Sequence, residues 1–308
     1  MMGRSDLLNY VLVTPARNEA ATIEATVRSV IGQTRLPLAW VIVSDGSTDG
    51  TDDIVKGYLP EHPWMELVSL PDRRERNFAG KVQAFNAGFA RVRELPYDVI
   101  GSLDADITFG QDYFSFLLER FAEDDRLGVG GTPFREGDQQ YDYRFTSIDH
   151  VSGACQLFRR RCFDEINGYQ PIRTGGVDLV AVTTARMKGW TTRTFTERVC
   201  LHHRKIGTAN DRYLAARFKV GRQDYSLGGH PLWEVFRSLY QMKNRPYVIG
   251  GAVLYLGYLW AWVSGTERPV SRELVAFRRK EQLQRLRRLF LRPMRNAGAA
   301  AQSNAAKA

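Results

Sequence analysis

The chain has 308 residues and a formal net charge of +9, from 43 Lys and Arg residues against 34 Asp and Glu residues. A hydrophobic content of 44% excludes a wholly disordered chain, and a chain of this length can bury a full core. The number of cysteines is odd, at three, and they are not closely spaced. Both observations argue against a disulfide framework or a Cys-rich zinc site. They predict buried free thiols in a reducing compartment. The N-terminal residues lack the apolar segment of a signal peptide, so export is not expected.

The first two thirds of the chain alternate strand patterns with helix patterns. Apolar runs of strand length occupy residues 10–14, 40–44, 65–70 and 98–103. Between them, apolar residues recur at helical spacing, as at Ile23, Val27 and Val30. This alternation predicts an α/β fold with a largely parallel sheet and right-handed crossovers. Ligands of such sheets bind beyond the C-terminal ends of the strands.

Polar clusters follow three of these strands, at residues 15–19, 45–50 and 104–106. Asp104 and Asp106 are alternate residues, and in an extended segment both carboxylates point the same way. They can therefore converge on one cation, and oxygen ligands of this kind suit Mg²⁺ or Mn²⁺. Taken alone, such a pair is more often a solvated turn, so both interpretations stay open at this point.

The cluster at 45–50 (DGSTDG) is typical of a tight turn that leads into a helix cap. Asp45 stands at the strand end, where its carboxylate can also accept hydrogen bonds from a base N–H or a sugar hydroxyl. The cluster matches neither the Gly-x-x-x-x-Gly-Lys-Ser/Thr pattern of a P-loop nor the Gly-x-Gly-x-x-Gly dinucleotide fingerprint.

Four segments together carry a family resemblance: 14–19 (TPARNE), 43–51 (VSDGSTDGT), 80–88 (GKVQAFNAG) and 103–106 (LDAD). In order, spacing and strand context the chain resembles the family 2 glycosyltransferases of the GT-A fold, over residues 8–205. The resemblance implies a mixed, mostly parallel Rossmann-like sheet flanked by helices. It also implies hexosyltransferase-type transfer of a sugar, with inversion, from a nucleotide-diphospho-sugar, with Mg²⁺ or Mn²⁺ as cofactor.

The resemblance implies roles for individual residues. The donor and its nucleotide would be bound by Pro15, Arg17, Asn18, Glu19, Asp45, Lys81 and Asp104. Among these, Asp45 would contact the base. Asp106 would be the principal metal ligand, and Asp104 would reach the ribose or the metal. One of His202 and His203 would complete the metal site, with His202 preferred.

On the acceptor side, the resemblance assigns Gly153, Gln156 and Arg159 to the segment that faces the second substrate. The catalytic base would be Asp178, whose carboxylate takes the proton from the attacking hydroxyl. The family carries a Glu directly before this Asp, and here Val177 replaces it, which implies an altered acceptor contact. The alternative for Asp178 is a carboxylate that only stabilises a helix N-terminus.

The C-terminal third differs from the rest in charge and hydropathy. Residues 246–265 contain no charged side chain but several Gly, Tyr and Trp residues. Residues 267–295 follow with ten Arg or Lys residues and three Glu residues. An aromatic apolar segment beside a basic amphipathic helix predicts binding to an anionic membrane surface. A single span at 246–265 and a helix buried against the protein are the alternatives.

These patterns divide the chain into a catalytic domain at 1–210, a helical membrane-associating region at 211–295 and a flexible tail at 296–308. The chain lacks the Gln-x-x-Arg-Trp motif of processive relatives, which favours transfer of one sugar at a time. The predicted location is the cytoplasm, with peripheral association at the inner face of the membrane.

The predicted function is transfer from a nucleotide-sugar, with UDP favoured, to a hydroxyl of a lipid-linked saccharide in surface or exopolysaccharide synthesis. A polyprenyl-phosphate sugar synthase is one alternative, because its acceptor is an already ionised phosphate. A catalytically inactive nucleotide-sugar-binding protein is another, and Val177 is the feature that favours it. The chain contains no recognisable nucleic-acid-binding module, so nucleic acid is not an expected partner.

Overall fold

The computed structural model describes residues 8–71, 78–136, 147–203 and 210–305. The chain forms two compact units, Met1–Lys205 and Ile206–Ala308. Within the described residues, all strands lie in the first unit, and the second unit consists of helices and their connections.

The strands are β1 (Tyr10–Ala16), β2 (Ala39–Asp45), β3 (Met65–Leu70), β4 (Val99–Leu103), β5 (Ile107–Thr108), β6 (Leu127–Gly131), β7 (Phe134–Arg135), β8 (Cys155–Arg159), β9 (Thr191–Thr194) and β10 (Cys200–His202). The helices of the first unit are α1 (Ile23–Ile31), α2 (Thr51–Tyr58), α3 (Phe78–Val92), α4 (Tyr113–Glu123), α5 (Arg160–Glu165) and α6 (Val177–Met187). The helices of the second unit are α7 (Asn210–Ser226), α8 (Pro231–Gln241), α9 (Ile249–Val263) and α10 (Arg272–Ala305).

The main sheet of the first unit has seven strands in the order β3-β2-β1-β4-β8-β6-β9. The four strands predicted from the apolar runs are β1 to β4, and they pair in parallel with their neighbours among themselves. β8 runs antiparallel to both β4 and β6, so the sheet is mixed. Because β1, β2 and β4 are parallel, the polar segments that follow them lie at one edge of the sheet.

Both faces of this sheet are buried, which explains why its parallel strands are continuous apolar runs. In β1, Tyr10 and Leu12 pack on one face with residues of α1 and α4. Val11 and Val13 point the opposite way and pack with residues of α3 and α6. The helices therefore flank the sheet on both sides.

A second, three-stranded sheet has the order β5-β10-β7. β10 pairs antiparallel with β5, where His202 lies opposite Ile107, and parallel with β7, where Cys200 lies opposite Phe134. This small sheet brings the segment after β4 beside two segments that are distant in sequence.

Cys155, Cys162 and Cys200 are buried and free, as the sequence predicts. Burial raises the pKa of Cys162 to about 12 and that of Cys200 to about 11. These thiols therefore stay protonated at neutral pH, which makes them poor nucleophiles.

In the second unit, α9 packs closely against α7. A Cβ on Gly257 would lie 2.1 Å from the carbonyl oxygen of Phe218, and a Cβ on Gly221 would lie 1.9 Å from that of Leu254. Only glycine at both positions permits this approach of the two backbones. One side of α9 is therefore buried, including Leu254, Tyr258 and Ala261.

The uncharged segment 246–265 contains α9, a helix of 15 residues that begins at Ile249 and ends at Val263. In the part of the chain that the structure describes, no helix combines the length and the apolar character needed to cross a membrane. The backbone is helical through Ala305, which includes most of the tail predicted at 296–308, and residues 306–308 lie outside the described residues.

A buried cluster of charged side chains joins α7, α8 and α10. Arg278 Nη2 lies 2.6 Å from Asp224 Oδ1, and Arg237 Nη1 lies 3.5 Å from both Asp224 Oδ1 and Glu234 Oε2. Burial, together with the neighbouring Asp224 carboxylate, raises the pKa of Glu234 to about 8. Burial alone would raise the pKa of Asp224 too, but Arg278 and Arg237 hold it below its usual value. The cluster thus combines a neutral acid and an ionised one.

Candidate active site

A cavity of about 310 Å³ opens in the first unit, at the edge of the main sheet where β4 ends. Its walls come from α3, the end of β4, β8 with the segment before it, the start of α6, and the small sheet. Seven predicted site residues line it: Lys81, Asp104, Gly153, Gln156, Val177, Asp178 and His202. The structure thus brings side chains that are spread over more than a hundred residues of sequence to one cavity.

Asp106 meets His202 beside this cavity. His202 Nε2 lies 3.1 Å from Asp106 Oδ2, and both side chains are largely buried. The pairing of β10 with β5 sets this contact, because it aligns His202 with Ile107, the residue that follows Asp106. The hydrogen bond to Asp106 raises the pKa of His202, against the opposing effect of burial, and Glu136 adds to the rise.

The two adjacent histidines have different surroundings. His203 is exposed, and its Nε2 lies 2.7 Å from the Thr108 hydroxyl. Its backbone N–H donates to the carbonyl oxygen of Asp106, whereas its ring contacts Thr108. His202 is therefore the histidine whose ring faces the Asp106 carboxylate.

Lys81 and Asp104 form an ion pair at the cavity. Removal from water would lower the pKa of Lys81, but the nearby carboxylates of Asp104, Asp178 and Asp106 raise it overall. Burial raises the pKa of Asp104, and the Lys81 ammonium offsets part of that rise. Lys81 therefore keeps its positive charge close to the end of β4, paired with the Asp104 carboxylate.

The predicted donor-binding loops lie side by side at the ends of β1 and β2. Arg17 Nη1 lies 3.8 Å from Asp45 Oδ2, and both side chains are largely buried. Pro15 lies in the last part of β1, where it pairs with Val43 of β2. Asp45 is the final residue of β2, as its predicted role at a strand end requires.

Side-chain hydrogen bonds join the two loops. The Asn18 N–H donates to Ser47 Oγ at 3.1 Å, and the Thr48 N–H donates to Asn18 Oδ1 at 2.9 Å. The Glu19 N–H donates to Thr51 Oγ1 at 2.8 Å. Asn18 has a positive φ of 55°, which its short polar side chain tolerates. These bonds fix one loop on the other, and the donor-contact roles of their residues stay predictions.

Asp178 is the second residue of α6, and this helix begins directly after Gly175 and Gly176, which both have positive φ angles. A Cβ on Gly153 would lie 2.9 Å from Asp178 Oδ2, so glycine at 153 leaves room for this carboxylate. Val177 lines the cavity and packs against the apolar cluster under α3 and α6. The residue that replaces the family's Glu thus makes an apolar contact.

Arg159 does not reach the cavity, contrary to its predicted place on the acceptor side. It is the last residue of β8, and its guanidinium donates to the backbone carbonyls of Phe121, Asp124 and Leu127. Arg159 therefore binds the C-terminal end of α4 and the segment that follows. The physical reason is direction: β8 runs antiparallel to β4, so its end lies at the opposite edge of the sheet.

Three residues of the site have no individual role among the sequence predictions. Glu136 Oε1 lies 2.6 Å from His202 Nδ1. Ser102 and Tyr169 line the cavity, and the Tyr169 hydroxyl donates to Gln156 Oε1 at 2.8 Å. No local pattern marks Glu136 or Ser102, since each matters only through partners that are distant in sequence. Within the described residues, no group of three or more His, Cys, Asp and Glu side chains is arranged to hold a metal ion.

Comparison with known proteins gives a family match over the first unit. The family model described as "Glycosyl transferase family 2" matches residues 11–177. Among curated proteins, the poly-beta-1,6-N-acetyl-D-glucosamine synthase of Staphylococcus aureus strain COL is 32% identical over 136 residues. This alignment covers 44% of the present chain and 31% of that protein, so the chain spans less than a third of the relative's length.

Solved structures show the same fold. The mannosyltransferase PcManGT from Pyrobaculum calidifontis, in complex with GDP-Man and Mn²⁺, has a TM-score of 0.57 and 20% identity, covering 88% of this chain and 78% of that chain. TarS 1–349 from S. aureus, in complex with UDP-GlcNAc, has a TM-score of 0.50 and 14% identity, covering 69% of this chain and 66% of that chain. At these identities the likeness shows the fold alone, which is the GT-A glycosyltransferase fold with a mixed sheet flanked by helices.

Proposed function

This chain is a glycosyltransferase that belongs to glycosyl transferase family 2, and we propose that it moves one sugar, with inversion, from a nucleotide-diphospho-sugar to a hydroxyl of a saccharide. The observation that carries the proposal is the common cavity of Asp178 with the Lys81–Asp104 pair. The Asp178 carboxylate, which would act on the acceptor, and the Lys81 ammonium, which would contact the diphosphate, thus line the same cavity. We favour UDP as the nucleotide and a hexose-type sugar.

In the proposed reaction, the acceptor oxygen attacks C1 of the donor sugar, and the bond from C1 to the diphosphate oxygen breaks. Asp178 takes the proton that the acceptor hydroxyl loses, which requires a contact of about 3 Å between the two oxygens. Lys81 places a positive charge near the departing diphosphate. The loops of Asp45 and Asn18 would hold the nucleotide beside this cavity.

We further propose that Asp106 and His202 hold a divalent cation, Mg²⁺ or Mn²⁺. Their ligand atoms are 3.1 Å apart, which matches the separation of about 3 Å between neighbouring ligands in an octahedron with bonds of about 2.1 Å. Two protein ligands would be enough to hold it, because such cations are usually bound by one or two carboxylates together with substrate phosphates and water. The bound cation would supply positive charge that stabilises the leaving diphosphate. Asp104 stays paired with Lys81 next to this site.

The first test is thermal unfolding of the full chain with UDP-GlcNAc, UDP-glucose or GDP-mannose, each with and without Mn²⁺. A ligand at 100 times its Kd stabilises the folded state by about 2.7 kcal/mol. For a domain of this size, each kcal/mol of stabilisation raises Tm by roughly 2–4 °C. We expect one donor to raise Tm, and Mn²⁺ to be required for the full effect.

Asp106→Ala should abolish the Mn²⁺-dependent part of this shift, because it removes the principal ligand. Asp53→Ala is the matched control, since Asp53 is an exposed carboxylate on α2 that pairs only with Lys56 among the described contacts. A Mn²⁺-dependent shift that persists in Asp106→Ala would contradict the ligand assignment. A wild-type chain whose Tm responds to none of the donors would contradict donor binding.

We propose that the second unit binds the cytoplasmic face of an anionic membrane, where a lipid-linked saccharide would be the acceptor. Leu256, Trp260 and Val263 form a stripe on α9 with exposures of 55%, 60% and 84%. Large apolar side chains in such a stripe suit an interface between water and lipid. The buried free cysteines support a reducing location, and a polysaccharide synthase among the relatives supports a saccharide acceptor in surface polysaccharide synthesis.

Basic and aromatic residues border the start of α9. Lys243 Nζ lies 5.7 Å from the ring centre of Tyr240, and the Arg245 guanidinium lies 6.0 Å from that of Tyr247. Residues 267–295 add a net charge of +7, from ten Arg or Lys residues against three Glu residues. Each basic residue near an anionic surface contributes about 1 kcal/mol of attraction.

Replacing two residues of the exposed stripe, Trp260→Ser with Val263→Ser, should weaken binding of the full chain to phosphatidylglycerol-containing vesicles at least about tenfold. Burial of one large apolar side chain is worth about 1.5–3 kcal/mol, and 1.4 kcal/mol is tenfold in affinity. Cosedimentation measures the effect. Leu36→Ser with Leu38→Ser is the control, because these side chains are also exposed, at 45% and 43%, but belong to the first unit. The proposal would be overturned if both double variants bound the vesicles equally well. It would also be overturned if the wild-type chain bound pure phosphatidylcholine vesicles as well as phosphatidylglycerol-containing ones.

A further inference from the structure

The imidazole of His202 is held between two carboxylates. Its Nδ1 lies 2.6 Å from Glu136 Oε1, and its Nε2 lies 3.1 Å from Asp106 Oδ2. The side chains of His202, Glu136 and Asp106 are 13%, 20% and 12% exposed, so water is largely excluded from all three. Glu136 has no part in the function proposed so far.

The position of Glu136 follows from the small sheet. β10 pairs in parallel with β7, with Leu201 opposite Arg135, so the next residues along the two segments are His202 and Glu136. The ring of Phe134, which lies in β7, is 5.4 Å from the imidazole, centre to centre. One short segment thus gives His202 both a hydrogen-bond partner and an aromatic neighbour, and together they restrict rotation of its ring.

The two nitrogens of an imidazole point to different sides of the ring. A proton on Nδ1 that is donated to Glu136 leaves Nε2 directed at Asp106, with its lone pair available to a cation. Glu136 itself lies on the Nδ1 side, so it cannot share an ion with Nε2. Carboxylates in this arrangement orient a ligating histidine and increase its basicity.

We propose that Glu136 is a positioning residue for the divalent cation: it orients His202 so that Nε2 and Asp106 Oδ2 bind the ion together. This inference rests on the proposed use of a metal by this enzyme. It assigns Glu136 to the affinity for the ion and not to contact with either substrate.

Direct binding of Mn²⁺ tests the inference, measured on the full chain by the loss of the free-ion electron paramagnetic resonance signal, with and without saturating UDP. Glu136→Ala should weaken Mn²⁺ binding about 10- to 100-fold, as removal of such partners typically does. Glu136→Gln should recover most of the affinity, because its amide oxygen can accept the same hydrogen bond. If Glu136 served folding alone, Glu136→Ala and Glu136→Gln variants of equal Tm would not differ in their affinity for Mn²⁺.

Thr108→Val is the matched control, because Thr108 contacts the neighbouring His203 at 2.7 Å in the same small sheet. Its Mn²⁺ affinity should equal that of the wild type. An unchanged affinity in Glu136→Ala, beside a loss in Asp106→Ala, would overturn the role of Glu136 and leave the proposed metal site intact. A wild-type chain that binds no Mn²⁺ under either condition would instead overturn the metal site.

Discussion

Asp178→Asn is expected to lower the turnover of sugar transfer to a hydroxyl acceptor by about 10²–10⁴-fold, which is the usual contribution of a general base. The amide keeps the size of the side chain, so the contact with Gly153 is preserved. It cannot accept the proton of the acceptor hydroxyl. The increase in Tm that the donor causes should therefore stay close to the wild-type value, although sugar transfer is lost.

Release of the nucleotide diphosphate, followed over time with donor and a saccharide acceptor, measures this effect. Asp149→Asn is the control, because Asp149 is an exposed carboxylate of the same unit that accepts a hydrogen bond from Ser147. Wild-type turnover in Asp178→Asn with a hydroxyl acceptor would contradict the role as base.

The same variant separates the proposed enzyme from two alternatives. A polyprenyl-phosphate acceptor is already ionised, so a sugar synthase of that kind should lose much less activity in Asp178→Asn. An inactive nucleotide-sugar-binding protein should show the donor shift in Tm and no transfer even in the wild type. Val177 bears on this choice, because it departs from the family pattern next to Asp178, the proposed base, and packs against an apolar cluster.

The second large effect concerns the stability of the helical unit. Arg278→Met should destabilise it by about 3 kcal/mol, because removal of one partner of a buried ion pair leaves the other charge without compensation. Arg278 binds Asp224 Oδ1 at 2.6 Å and also donates to the carbonyl oxygen of Leu227 at 2.8 Å. Arg237 remains 3.5 Å from Asp224, which places the expected cost near the lower end of about 3–5 kcal/mol. Denaturant unfolding followed by far-UV circular dichroism measures the loss.

Glu234→Gln is the matched control in the same cluster and should be neutral or stabilising at pH 7. The pKa of Glu234 is raised to about 8 in the folded chain, so this side chain is already mostly uncharged there. An acid with a raised pKa contributes stability below its unfolded pKa, and loses it as pH rises to the folded value. For Glu234 this loss of folding stability falls between about pH 4.5 and pH 8, and the stability of Glu234→Gln should not show it.

Two results would contradict this account of the cluster. Arg278→Met with wild-type stability would show that the buried pair contributes nothing net. A loss in Glu234→Gln as large as that in Arg278→Met would show that Glu234 is ionised in the folded chain. Asp224→Asn combined with Arg278→Met should recover part of the loss, because the double variant leaves no unpaired charge.

The amino-acid sequence by itself determined the local features of this protein. The four apolar runs predicted β1 to β4, because a buried parallel strand is a continuous apolar segment that needs no partner to be recognised. The family motifs are also short and contiguous, so roles for Asp104, Asp106 and Asp178 could be predicted from their neighbours in sequence. The placement of these motifs at strand ends then predicted a shared site at one edge of the sheet.

The tertiary structure alone decided which side chains meet. His202 and Glu136 are 66 residues apart, and the register of β10 on β7 makes them neighbours. The antiparallel direction of β8 carries Arg159 away from the cavity although Gln156, three residues earlier, lines it. Side-chain direction alternates along a strand, and strand order depends on packing over the whole core. Contacts of this kind are properties of pairing and register, which no short segment of sequence contains.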